Sequence, residues 1–130
     1  MRLLLDTHIF LWFISADARL AERLRESIRN PEHDVYLSVV SLWEAIVKHQ
    51  LGRLPLPQPP ESYLPTQRAR HQIASLSLDE ASVRQLAKLP AIHRDPFDRM
   101  LICQALEQGL VIVTVDDVFS HYPVAVMSRA

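Results

Sequence analysis

Short apolar runs alternate with helix-period segments along almost the whole chain, and this alternation restricts the fold more than any other feature of its 130 residues. RLLLD, residues 2–6, is a run suited to a strand buried on both faces, and THIFLWFI follows it as a helix. Residues 17–30 carry Leu20, Leu24 and Ile28 at four-residue spacing, which predicts an amphipathic surface helix. VYLS, residues 35–38, reads as a second strand, and VVSLWEAIVKHQLG as a helix closed by Gly52. The four prolines between residues 55 and 60 can continue neither element and form a stiff connection. A helix over 61–70 and a strand at IASLSL come next. Ser77 and Glu80 have capping-box spacing for a helix reaching Leu89. The helix that starts at Pro96 runs to Gly109, LVIVTVD is a strand ending at an acid, and VAVM is the last strand. Strand–helix alternation of this kind gives an α/β fold: a mainly parallel sheet with right-handed crossovers and helices on both faces.

A chain of this length is expected to form one domain spanning residues 1–130, burying roughly two-thirds of its unfolded surface. No apolar run is long enough to cross a membrane, and the first ten residues lack a signal-peptide pattern, so a cytoplasmic location with no membrane partner is expected. The single cysteine, Cys103, excludes an internal disulfide and a multi-cysteine zinc cluster, and it reads as a small core residue. A net charge of −1 provides no global attraction to nucleic acid.

The chemistry lies in the acids. In a parallel sheet, ligands bind at the carboxyl ends of the strands, where Asp6 and Asp116 fall. Each could alternatively do no more than start a turn. Glu44 shares a helix stripe with Val40, Val47 and Leu51, an inward position for a carboxylate. The bland account, an i,i+4 pair with Lys48, is worth only a few tenths of a kcal/mol by general experience and does not explain that position. In HRDPFDRM, Asp95 before Pro96 reads as a helix cap, whereas Asp98 shares a face with Leu101, Ile102 and Ala105 and is predicted to point toward the sheet. Several carboxylates buried together are costly unless a cation lies among them. An all-oxygen donor set suits magnesium or manganese, and the chemistry such a site supports is hydrolytic phosphoryl transfer. The six histidines show no paired metal-binding spacing, and His93 and Arg94 read as a solvated loop. Arg19, Arg23, Arg25 and Arg29 read as a solvated face, and Trp12 and Trp43 as core.

Four motifs, LLLDTHIFLW, SxxSLWEAxxKxxLGRL, HRDPFDRMLICQAL and VTVDDVFSHYPV, in this order and spacing, resemble those of the PIN-domain ribonuclease toxins of VapC type, over residues 3 to about 126. The resemblance implies a three-layer α/β/α fold and a Mg2+- or Mn2+-dependent endoribonuclease that serves as the toxin of a toxin–antitoxin pair. It also implies an RNA substrate, a cognate antitoxin whose segment lies across the groove, and a homodimer. Asp6, Glu44 and Asp98 match the three core metal-binding acids and Asp116 the more variable fourth, with Asp117 a less favoured substitute. Thr7, Ser41 and Thr114 match the small hydroxyl residues that orient carboxylates or waters. A non-catalytic RNA- or protein-binding module on the same fold is the alternative. A haloacid-dehalogenase-like phosphatase would need an aspartate where His8 stands, and a receiver domain one where Ser77 and Leu78 stand.

Overall fold

Five strands form one all-parallel sheet in a computed structural model that describes residues 1–128. They are β1 (Arg2–Leu5), β2 (Asp34–Ser38), β3 (Ala74–Leu76), β4 (Val111–Val113) and β5 (Val126–Met127), in the order β3-β2-β1-β4-β5. The six α-helices are α1 (Thr7–Ile14), α2 (Glu22–Arg29), α3 (Val39–Gln50), α4 (Pro60–Arg70), α5 (Glu80–Arg84) and α6 (Pro96–Gln108). From β1 the chain first builds outward through β2 to β3, then returns to the other side of β1 with β4 and β5. The direction of winding therefore reverses between β1 and β4, the place where an open parallel sheet leaves a crevice at its carboxyl edge.

The strand alternation predicted by the apolar runs sorts the core into two layers. Leu3 and Leu5 of β1 face one side, with Ile9 and Phe10 of α1 and Leu24 of α2. Leu4 faces the other side, with Leu101 and Ile102 of α6 and Phe119. Helix α3 serves both, sending Ala45 into the first layer and Val40 into the second. This is the expected three-layer α/β/α arrangement. Cys103 is fully buried in the second layer.

Several sequence expectations are corrected. Helix α2 begins at Glu22, not at residue 17, because Asp17 accepts hydrogen bonds from the backbone and guanidinium of Arg19 and organises a turn ahead of it. Leu20 is buried from that turn. Arg25 is not part of a solvated face: its guanidinium is buried over the Phe13 ring and donates to the Asp17 carbonyl. The cap of α5 is Asp79, which accepts from the Ser82 N–H at 2.9 Å, in place of the Ser77–Glu80 box, and the helix gives way to a 3-10 turn at Gln85–Lys88. Strand β4 ends at Val113 and not at Asp116, because Thr114 Oγ1 accepts the Asp116 N–H and turns the chain, and β3 and β5 are likewise shorter than IASLSL and VAVM. Helix α6 opens at Asp95–Pro96 and closes at Gly109, whose φ of +66° is the left-handed conformation glycine adopts without strain.

Candidate functional site

The reversal between β1 and β4 brings together acids that are far apart in sequence. Asp6, Glu44, Asp95, Asp98 and Asp116 line one cleft of about 330 Å³, with His8, Trp12, Lys48, His93 and Val115. Among the described residues, larger surface depressions elsewhere contain no comparable set of acids.

Asp6 follows β1, and its backbone N–H donates to the Val113 carbonyl of β4 at 3.0 Å. It stands at the N-cap position of α1, yet its side chain caps nothing. Its Oδ2 instead accepts from the Thr114 hydroxyl at 2.8 Å, which fixes the carboxylate across the switch point. Glu44 is only 2% exposed on the inward face of α3. Its Oε1 accepts from the Thr7 hydroxyl at 2.7 Å, Thr7 also lies 2.8 Å from Ser41 Oγ, and its Oε2 receives the Lys48 ammonium. The inward position and the i,i+4 pair, weighed as alternatives from sequence, thus coexist.

Asp95 caps α6, accepting through Oδ1 from the N–H groups of Phe97 and Asp98 at 2.8 and 3.1 Å. Asp98, one turn in, points into the cleft as its helix face predicts. Asp116 lies beyond β4, where its own N–H donates to Thr114 Oγ1 and its Oδ1 accepts from Val118 N–H. It both starts a 3-10 turn and lines the cleft; Asp117 does not line it.

Two neighbours escaped the sequence reading. His93 is not a solvated loop residue: Nε2 lies 2.8 Å from Asp98 Oδ2, and Nδ1 accepts from the Arg94 N–H. An accepting Nδ1 assigns the proton of the neutral ring to Nε2, which then donates to Asp98. Its proximity to Asp98 in HRDPFD was the available signal. Lys48 was undervalued because exposed i,i+4 pairs are weak, whereas its partner here is buried. Trp43, expected in the core, is half-exposed and meets Phe97 edge-on at 4.9 Å, because its neighbour Glu44 takes the inward face. Trp12 is half-buried at the cleft rim, with the Arg19 guanidinium 5.0 Å from its ring centre.

Crowding shows in the proton affinities. Burial, then the charge of Asp6, raise the Asp98 carboxyl from 3.8 to about 7, against the opposing His93 hydrogen bond. Burial likewise raises Asp6, in spite of the Thr114 hydroxyl. Burial opposes the Lys48 charge, but Glu44, Asp95 and Asp98 outweigh it and hold the ammonium above its ordinary range. Ligand atoms of Glu44, Asp95 and Asp98 lie within 4.8 Å of one another, as do those of His93, Asp98 and Asp116. These oxygen-rich groups fit a hard divalent cation, with one imidazole also in reach, and such an ion would remove the cost of ionising Asp98.

That cost has a measurable sign. Because the folded chain binds the Asp98 proton more tightly than the unfolded chain, metal-free stability falls as pH rises from about 4 to about 7. Asp6 acts in the same direction. Thermal unfolding in chelator is therefore expected to give a higher melting temperature at pH 5 than at pH 7.5. Saturating Mn2+ should raise the pH 7.5 value most, since protons and metal compete for the same oxygens. A metal-free melting temperature that rises from pH 5 to 7.5 would contradict this assignment.

Comparison with known proteins identifies the family and the fold. A curated relative, Ribonuclease VapC16 of Mycobacterium tuberculosis, is 34% identical over 68 residues, covering 52% of this chain. The alignment spans 47% of that relative, about half its length. Among solved structures, VapBC2 from Rickettsia felis bound to a promoter DNA fragment superposes with a TM-score of 0.69 at 14% identity, over 98% of each chain. DNA-bound VapBC from Salmonella typhimurium gives 0.65 at 19%, over 100% of this chain and 99% of the other. VapBC-5 from Mycobacterium tuberculosis, of the VapBC family of toxin-antitoxin systems, gives 0.60 at 23%, over 98% and 96%. At these identities the solved structures establish the shared fold. The PIN domain family model matches residues 3–125, from the strand that leads into Asp6 to the last turn before β5, and the chain belongs to the PIN domain family.

Proposed function

We propose that residues 1–130 act as one PIN domain, a Mg2+- or Mn2+-dependent endoribonuclease that is the toxin of a toxin–antitoxin pair in the cytoplasm. The observation that carries this reading is the convergence of Asp6, Glu44, Asp98 and Asp116, from four separate parts of the chain, on one cleft at the sheet's switch point. The resemblance to a protein named as a ribonuclease and the shared fold with VapBC complexes support it.

In this reading Asp6, Glu44, Asp98 and Asp116 form the divalent-metal site, which holds one or two ions. Thr114 orients Asp6, and Thr7 with Ser41 orients Glu44. Asp95 aims α6 so that Asp98 enters the cleft. When bound, the ion supplies Lewis acidity toward a phosphate oxygen and lowers the pKa of water. His93 holds the orientation of Asp98 through Nε2. The products expected from hydrolysis by water carry a 5′-phosphate and a 3′-hydroxyl. An antitoxin segment lying across the cleft blocks the RNA path, and the toxin pairs as a homodimer. No helix among the described residues is long and apolar enough to span a membrane.

The test is incubation of labelled cellular RNA with purified, partner-free protein in Mn2+ or Mg2+, with a chelator control and mapping of fragment ends. Discrete fragments with 5′-phosphates, absent in chelator, are the expected result. Cyclic phosphate ends formed in chelator would refute the mechanism. Intact RNA with folded, metal-loaded protein would favour the non-catalytic binding module.

A further inference from the structure

Lys48 has no task in that chemistry, yet its ammonium lies inside the acidic cleft. It reaches in from one turn along α3 to Glu44 Oε2, while Thr7 occupies Oε1, so both Glu44 oxygens are engaged by the protein. The pair is unequal in exposure, at 29% for the lysine side chain and 3% for the glutamate. A carboxylate buried that deeply and left unpaired is strongly unfavourable. The two acidic groups of the cleft share Asp98. In one, with Glu44 and Asp95, the ammonium already sits on a carboxylate; the other, with His93 and Asp116, has no lysine on it. A divalent ion seeking Glu44 must displace a compact charge with three donors, whereas an ion taken up by the His93, Asp98 and Asp116 group displaces no ammonium.

We infer that Lys48 is the resident cation of the Glu44 half of the cleft, a positioning residue that neutralises and orients Glu44 and confines divalent metal to the half formed by His93, Asp98 and Asp116, beside Asp6, so that the site takes a single ion. The inference rests on the cleft being a metal site. Its test is Mn2+ stoichiometry by electron paramagnetic resonance, with thermal unfolding in chelator, for the wild type, Lys48→Arg, Lys48→Met and the double variant Glu44→Gln with Lys48→Met.

The wild type and Lys48→Arg are expected to bind one Mn2+ per chain. Lys48→Met is expected to bind two, to melt lower in chelator and to gain more from Mn2+ than the wild type. The double variant, with neither charge, should melt closer to the wild type and bind one ion. Two ions on the wild type, or a folded Lys48→Met protein that still binds only one, would overturn the inference. If Lys48→Met does not fold, a folded double variant supports the counter-ion role and an unfolded one refutes it. No RNA enters the experiment, so its result is independent of cleavage: a wild type that binds no Mn2+ overturns the metal reading and this inference together, and two ions on it overturn this inference alone.

Discussion

Asp98→Asn is expected to abolish RNA cleavage while making the metal-free protein harder to unfold. The activity loss should exceed ~100-fold, the upper end of what removal of a residue supporting a metal ligand costs, because Asp98 itself belongs to both acidic groups of the cleft. The gain in stability follows from the raised Asp98 carboxyl: at pH 7.5 the folded chain must hold a crowded charge that asparagine does not carry. Asparagine keeps the shape and can still pair with His93 Nε2, and the cap that Asp95 places on the backbone of residue 98 is untouched. Cleavage assays beside melting curves in chelator check both halves. A variant that loses activity and also melts lower would indicate that Asp98 acts structurally, as a helix-start residue.

Phe10→Ala is expected to be the most destabilising of these substitutions. Phe10 is wholly buried on α1 between the sheet and its neighbouring helices. Removing such a ring costs ~3–5 kcal/mol in transfer energy and unfilled space. Against a typical total of ~5–15 kcal/mol, this is a large fraction of the stability of a domain this size. Denaturant unfolding should show a lower midpoint with an unchanged slope, since the surface exposed on unfolding stays nearly the same. A loss below ~1 kcal/mol would show that the layer over β1 closes around the missing ring.

The parts of the structure legible in the sequence were those that local chemistry decides. The apolar runs of β1, β2 and β4 are too short for helices and read as strands, that of β1 buried on both faces, and Asp95–Pro96 and Gly109 bound α6 by backbone conformation alone. Glu44 and Asp98 were visible because a carboxylate on an apolar helix stripe contradicts its own surroundings. The start of α2 was misread because Leu20 fits the four-residue period although a turn held by Asp17 and Arg19 delivers it to the core. Asp79 displaced Ser77 as a cap because the bond it makes depends on the course of the backbone after β3. His93 lies in a segment with no periodicity, so only the folded loop brings it to Asp98. The strength of the Lys48–Glu44 pair was likewise hidden, because it depends on burial that the spacing does not record.

The bond between Asp6 and Thr114 joins residues 108 positions apart, and it has a consequence for how the protein comes into being. Pairing of β1 with β4 closes a long loop of chain, a contact of the kind that forms late because the intervening segment must first be ordered. A ribosome emits Asp6 long before Asp116. A nascent fragment that stops short of Asp116 cannot assemble the full set of acids, and a cell making the protein meets an intact acidic centre only after that residue has emerged.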